Sequence, residues 1–142
     1  MIAGHRGAVE RAAALAKQRG AKVLPLAVSA PFHSALMKPA AERLREVLVP
    51  LALSPLQCPI ISNVEAAPCS DASRVKDLLV RQLVSPVRWQ ECVEALARAG
   101  CTAALEVGPG RVLRGLVKRI APTIRCAAGD ELDAVRALAT SA

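Results

Sequence analysis

The sequence predicts an α/β fold with a largely parallel sheet, and three observations lead there. Helical and strand patterns alternate along the whole chain. The 53% hydrophobic content comes almost entirely from Ala, Val and Leu, with Phe32 and Trp89 the only aromatic residues. The length, 142 residues, suits one domain with its own core rather than two of ordinary size. An aliphatic core of this kind packs helices on a sheet more readily than it fills an aromatic-rich β-sandwich.

The elements follow in order. Ala8 to Arg19 is Ala-rich with scattered charge and stops at Gly20, a helix-ending residue. Val23 to Val28 reads as a short β run, with Pro25 pointing to an edge position or a bulge. Over residues 35–48, Leu36, Leu44, Val47 and Leu48 form an apolar face, with Glu42, Arg43, Arg45 and Glu46 mostly opposite. That helix tolerates Pro39 only in about its first turn. Pro59-Ile60-Ile61-Ser62 reads as a brief buried strand.

Asp71 or Ser73 caps a helix running to about Leu83, and Ser85-Pro86 breaks it. Another helix covers roughly Arg88 to Ala99, before Gly100. Ala103 to Val107 is a strand, Gly108-Pro109-Gly110 a turn, and Val112 to about Arg119 a helix. A strand at Thr123–Cys126 and a helix from Glu131 to Ala139 complete the pattern. The opening Met1-Ile2-Ala3-Gly4 reads as the end of a strand with nothing before it, a first sign of truncation.

Composition narrows the function classes. Five cysteines at wide, irregular spacing, without a C-x-x-C pair and with only two histidines, indicate neither a zinc site nor a disulfide framework. They read as idle thiols in a reducing cytosol, and no metal or cofactor is expected. The amino terminus lacks the apolar run of a signal peptide, and no stretch approaches the ~20 apolar residues that span a bilayer. A soluble cytoplasmic protein without a membrane partner is the expectation. The net charge of +7 favours anionic partners. Dispersed basic residues without interleaved aromatics count against nucleic acid. A CoA thioester or an acidic protein fits the charge equally well.

Of the two histidines, His33 has the better position. It lies between a predicted strand and a predicted helix, at the sheet edge where ligand sites of α/β proteins gather. Imidazole there suits general-base chemistry, although on position alone a histidine capping the next helix is the simpler reading. His5, in Gly4-His5-Arg6-Gly7, has Arg6 where a nucleophile elbow needs serine and reads as a turn into the first helix. Ser34 adjoins His33, but adjacent side chains diverge. Glu106 ends a strand before Gly108-Pro109-Gly110, where a weak phosphate cradle is conceivable at the helix start.

Four ordered stretches carry a resemblance beyond this. Ser29-Ala30-Pro31-Phe32-His33-Ser34-Ala35-Leu36-Met37 is similar to the signature around the catalytic histidine of malonyl-CoA:acyl-carrier-protein transacylases. Ile61-Ser62-Asn63-Val64 resembles a buried family strand and its turn. Residues 80–89 resemble the family's R-Q-L-x-x-P-V-x-W motif, and residues 106–116 its E-x-G-P-G-x-V-L-x-G-L motif. Ile2-Ala3-Gly4 matches the close of a family strand, so the likeness covers essentially the whole chain.

The resemblance implies the C-terminal part of a hydrolase-like parallel-sheet core over residues 29–142, and the remnant of a small ferredoxin-like subdomain over 1–28. It implies malonyl transfer from malonyl-CoA to the phosphopantetheine thiol of acyl carrier protein, in fatty acid synthesis, through a serine ester. His33 is then the general base and the backbone carbonyl of Gln82 its anchor in place of an aspartate. Phe32 is a substrate-binding residue whose ring crowds an α-methyl group. The family's G-H-S-x-G serine, its oxyanion-hole glutamine and its malonyl-binding arginine precede the matched region, so this chain alone is expected to be inactive. A polyketide-type acyltransferase domain and a non-catalytic carrier-protein-binding module are the alternatives.

Overall fold

The computed structural model describes residues 2–130, 133 and 136. Contacts divide the chain into two units, Met1–Pro59 with Cys69–Val87, and Ile60–Pro68 with Arg88–Ala142. The helix expected over Glu131–Ala139 falls mostly outside the described residues.

In the first unit, helix α1 spans Arg6–Gln18. It ends as Gly20 suggests: the Gly20 and Ala21 N–H groups bond back to the Lys17 and Ala16 carbonyls at 2.9 and 3.0 Å. A 3-10 turn, Ala35–Met37, leads into α2, Lys38–Leu48, with Pro39 in its first turn where no N–H is needed. Helix α3, Ala72–Val84, is capped by Asp71, whose Oδ1 accepts the Ser73 N–H at 2.9 Å and the Ser73 hydroxyl at 2.6 Å. α2 packs on α3, and Ala41 of α2 and Leu78 and Val80 of α3 are buried. Lys76 of α3 donates to the Val49 carbonyl at 3.0 Å, satisfying an open acceptor at the end of α2.

Val23 to Val28 is not a strand. The segment forms no ladder among the described residues, and Leu24, Leu26 and Val28 stay 61–69% exposed. A β-like run becomes a strand only when a neighbour takes its N–H and C=O groups. Here the Val28 N–H turns back to the Leu26 carbonyl at 3.0 Å.

The second unit holds α4, Trp89–Arg98, β3, Ala103–Glu106, α5, Val112–Ile120, and β4, Arg125–Ala128. β3 and β4 are parallel, registered Ala103 to Arg125 through Glu106 to Ala128, with α5 as the connection. This is the βαβ unit that the alternating pattern predicts, and the small parallel sheet bears out the mixed α/β class. Val93, Val117, Ala121 and Ile124 form its core, with Trp89, Leu96 and Ile120 packed against them. β4 begins two residues later than expected, because the Ile124 N–H is taken by the Ala121 carbonyl in a turn at 3.0 Å. The strand expected at residues 59–62 is present as β1, Ile60–Ile61, but it is half-buried and not buried as expected. It pairs with the equally short β2, Pro68–Cys69, which no sequence signal marked.

Candidate active site

His33 sits in the loop before the 3-10 turn, and the loop is fixed by its own polar atoms. The Phe32 N–H reaches the Ala30 carbonyl at 2.9 Å, and the Ser34 hydroxyl donates to the Pro31 carbonyl at 2.7 Å. Ser34 is therefore a loop-closing group. His33 itself has φ +61°, a left-handed conformation that costs a non-glycine residue about 1–2 kcal/mol. Such strain persists only where surrounding bonds hold it.

Two consecutive carbonyls at the end of α3 do the holding. The His33 backbone N–H donates to the Leu83 carbonyl at 3.1 Å, and the ring Nδ1 lies 3.0 Å from the Gln82 carbonyl oxygen. A carbonyl can only accept, so Nδ1 carries the proton and Nε2 keeps its lone pair. That is the tautomer a general base needs. With Nδ1 protonated, the Gln82 side-chain Nε2, 3.4 Å away, has no acceptor there; it donates instead to the Ser85 carbonyl at 3.3 Å. Sequence spacing brings His33 and Gln82 no closer than 49 residues; the structure puts them in contact. Phe32, beside the histidine, is 46% exposed.

Two motif regions of the second unit turn out to be built differently from expectation. Glu106, at the end of β3, folds its carboxylate onto the start of α5. Oε1 accepts the Leu113 N–H at 3.0 Å and Oε2 the Arg114 N–H at 2.8 Å. Gly108 and Gly110, at φ +116° and +103°, let the intervening loop turn back so tightly. The helix start considered as a phosphate cradle thus already holds an anion, supplied by the chain itself.

Arg88, which the sequence reading passed over, clamps the turn after β1. Its backbone N–H bonds to the Asn63 carbonyl at 3.0 Å, and its Nη1 to the Glu65 carbonyl at 3.1 Å. Its Nε and Nη2 grip both oxygens of Glu91, and this bond holds the Glu91 carboxyl below its ordinary value. Burial pushes the Cys92 thiol up, as expected of a packed cysteine, and the same cause raises Cys126. Among the described residues no three His, Cys, Asp or Glu side chains gather as a metal site.

No family model matches the chain. Individual relatives do. The chain is 48% identical over 141 residues to the malonyl CoA-acyl carrier protein transacylase of Salmonella typhimurium, covering 99% of this chain and 46% of that protein. It is 48% identical over 121 residues to the Bacillus subtilis protein of the same name. Among solved structures, an acyl carrier protein S-malonyltransferase from Vibrio cholerae is 47% identical, with a TM-score of 0.88 over 94% of this chain and 44% of that one. Over nearly its whole length the chain is similar to the C-terminal part of malonyl-CoA:acyl-carrier-protein transacylases.

It spans under half the length of the transacylases it matches. A further solved transacylase, 46% identical with a TM-score of 0.87, is in complex with a type II polyketide acyl-carrier protein. No helix among the described residues is long and apolar enough to cross a membrane. The stretches that resemble transacylase motifs are the ones that carry the built features. They are the His33 loop, the end of α3, the turn clamped by Arg88 and the Glu106-capped start of α5.

Proposed function

We propose that this chain supplies the general base of a malonyl-CoA:acyl-carrier-protein transacylase, and that His33 is that base. The observation that carries the reading is the 3.0 Å contact between His33 Nδ1 and the Gln82 carbonyl, which leaves Nε2 able to take a proton. In the reaction, Nε2 accepts the proton of a serine hydroxyl as the serine oxygen attacks the malonyl thioester carbonyl. The C–S bond breaks, and the leaving CoA sulfur takes that proton back from the imidazolium, so CoA departs as its thiol and Nε2 is again free to accept. The phosphopantetheine thiol of acyl carrier protein then gives its proton to Nε2 and attacks the malonyl ester, and the serine oxygen recovers the proton.

The sequence contains no G-H-S-x-G, so the serine comes from chain outside these 142 residues. Residues 29–142 act as the C-terminal part of a hydrolase-like core, a reading supported by the parallel β3–α5–β4 unit. Residues 1–28 are assigned to a ferredoxin-like subdomain on the resemblance alone. Phe32 lines the acyl position and disfavours an α-methyl group, and the site of action is cytoplasmic. The acceptor is the carrier protein of fatty acid synthesis. A type II polyketide carrier protein is the second acceptor, favoured by the complex of such a carrier with a 46% identical transacylase.

The test replaces the matching segment of the Salmonella typhimurium transacylase with this chain. The chimera is expected to transfer malonyl groups, and His33→Ala to abolish most of that transfer. A His33→Ala chimera as active as its parent would refute the assignment. The 142-residue chain alone, incubated with malonyl-CoA, is expected to show no serine-linked malonyl adduct by mass spectrometry.

A further inference from the structure

The geometry points to Pro86 as a positioning residue for His33, acting by the hydrogen-bond donor it lacks. In an α-helix the carbonyl of residue i accepts the N–H of residue i+4. For Gln82 that residue is Pro86, which has no N–H. α3 ends at Val84, and Ser85, at φ −112° and ψ 149°, takes the extended backbone that a following proline enforces.

The last carbonyls of a helix are left without intrahelical partners. Here two of them are put to use on one residue: Gln82 O receives His33 Nδ1 at 3.0 Å, and Leu83 O receives the His33 N–H at 3.1 Å. An N–H at position 86, with the helix one turn longer, competes for Gln82 O directly. The residue after it competes for Leu83 O. His33 then loses the acceptor that keeps the proton on Nδ1, and its strained backbone loses its second anchor. Proline at i+4 from the anchoring carbonyl prevents both. A carbonyl in mid-helix is unfit to replace an aspartate, whereas one made permanently free by a proline is fit.

The catalytic consequence rests on reading His33 as a general base; the tautomer claim does not, and it is tested separately. Nitrogen NMR of the imidazoles in the full chain reports which ring nitrogen of His33 is protonated, with a His5→Gln chain assigning the signals. Three chains are compared: the natural one, Pro86→Ala, and one carrying L-lactic acid at position 86. The lactate has the alanine methyl group but an ester in place of the N–H, and no ring. Pro86→Ala is expected to shift the tautomer ratio away from Nδ1–H by about two- to tenfold, the range set by one net hydrogen bond. The lactate chain is expected to restore the natural ratio.

An unchanged ratio in Pro86→Ala overturns the proposal. So does a lactate chain that behaves like the alanine one, since ring sterics and not the missing donor would then be responsible. If Pro86→Ala does not fold, the lactate chain against the natural one decides. Retention of Nδ1–H supports the proposal and its loss overturns it. In the active chimera, Pro86→Ala is expected to lower kcat with little change in KM.

Discussion

Two helix ends in this chain hold a side chain from elsewhere in the sequence, and they do so with opposite polarity. The carboxyl end of α3 offers bare carbonyls, and His33 comes to them with a ring N–H and a backbone N–H. The amino end of α5 offers bare N–H groups, and Glu106 comes to them with both carboxylate oxygens. Both satisfy the groups that every helix leaves open at its ends. They differ in what is left over. Glu106 spends each of its oxygens on a backbone N–H, so the contact is complete and works as a cap. His33 spends Nδ1 and keeps Nε2. A side chain with one end anchored and the other end reactive is the arrangement that chemistry needs, and only the first helix end provides it.

The most direct way to break the comparison is to remove each guest. In the chimera with the Salmonella typhimurium enzyme, His33→Ala is expected to lower malonyl transfer by about a hundred- to ten-thousandfold, the worth of a general base. Alanine carries the same left-handed strain, so the variant's unfolding free energy should fall only by the lost ring hydrogen bond, about 0.5–1.5 kcal/mol. Equal losses of stability from both guests would remove the distinction drawn above.

Phe32 sharpens the same side of the comparison. If the open face of His33 meets the acyl group, Phe32→Ala should raise transfer of methylmalonyl relative to malonyl by about tenfold, one methyl being worth roughly 1–3 kcal/mol. Competition between the two thioesters in one reaction measures it. An unchanged ratio places the ring away from the acyl position.

At the other helix end the effect is on folding. Glu106→Ala leaves the Leu113 and Arg114 N–H groups without their acceptors and is expected to cost about 1–2 kcal/mol in urea unfolding. Glu106→Gln keeps one acceptor oxygen and should fall between. Turnover per folded chimera should stay near the parent value in both.

How far the sequence showed this depends on how local each feature is. α3 was legible from Asp71 at its start and Ser85-Pro86 at its end, and α4 from Gly100, because caps and breakers act within a few residues. Val23–Val28 misled because a strand is defined by a partner, and the segment has none among the described residues. The His33–Gln82 contact spans 49 positions and has no periodicity; only the resemblance pointed to it. The Glu106 cap escaped because cap signals are sought next to the helix. A signal was present nonetheless: α5 begins after Arg111, which makes no side-chain cap, and an acidic residue lies just across a Gly-Pro-Gly turn.

The smallest effect separates the two ends of α3 itself. The bonds from Ser73 hold the Asp71 carboxyl below its ordinary value near 3.8. A carboxyl lowered by folding adds stability that is fully present above the ordinary value and is lost as pH falls through the lowered one. The amino-terminal cap of α3 should therefore weaken in acid. The carboxyl-terminal anchor should not, because the Gln82 and Leu83 carbonyls that hold His33 have no proton to gain. Asp71→Asn keeps a capping oxygen that does not titrate. Unfolding midpoints of the natural chain and this variant, followed from about pH 5 to about pH 2, should draw together as the natural cap protonates. Over the same range the amide signal of Ser73 should shift in the natural chain while that of His33 keeps its bonded position. Loss of the His33 amide bond in step with the Asp71 cap would mean that the two ends of α3 melt together, and that the carbonyl anchor is no firmer than an exposed cap.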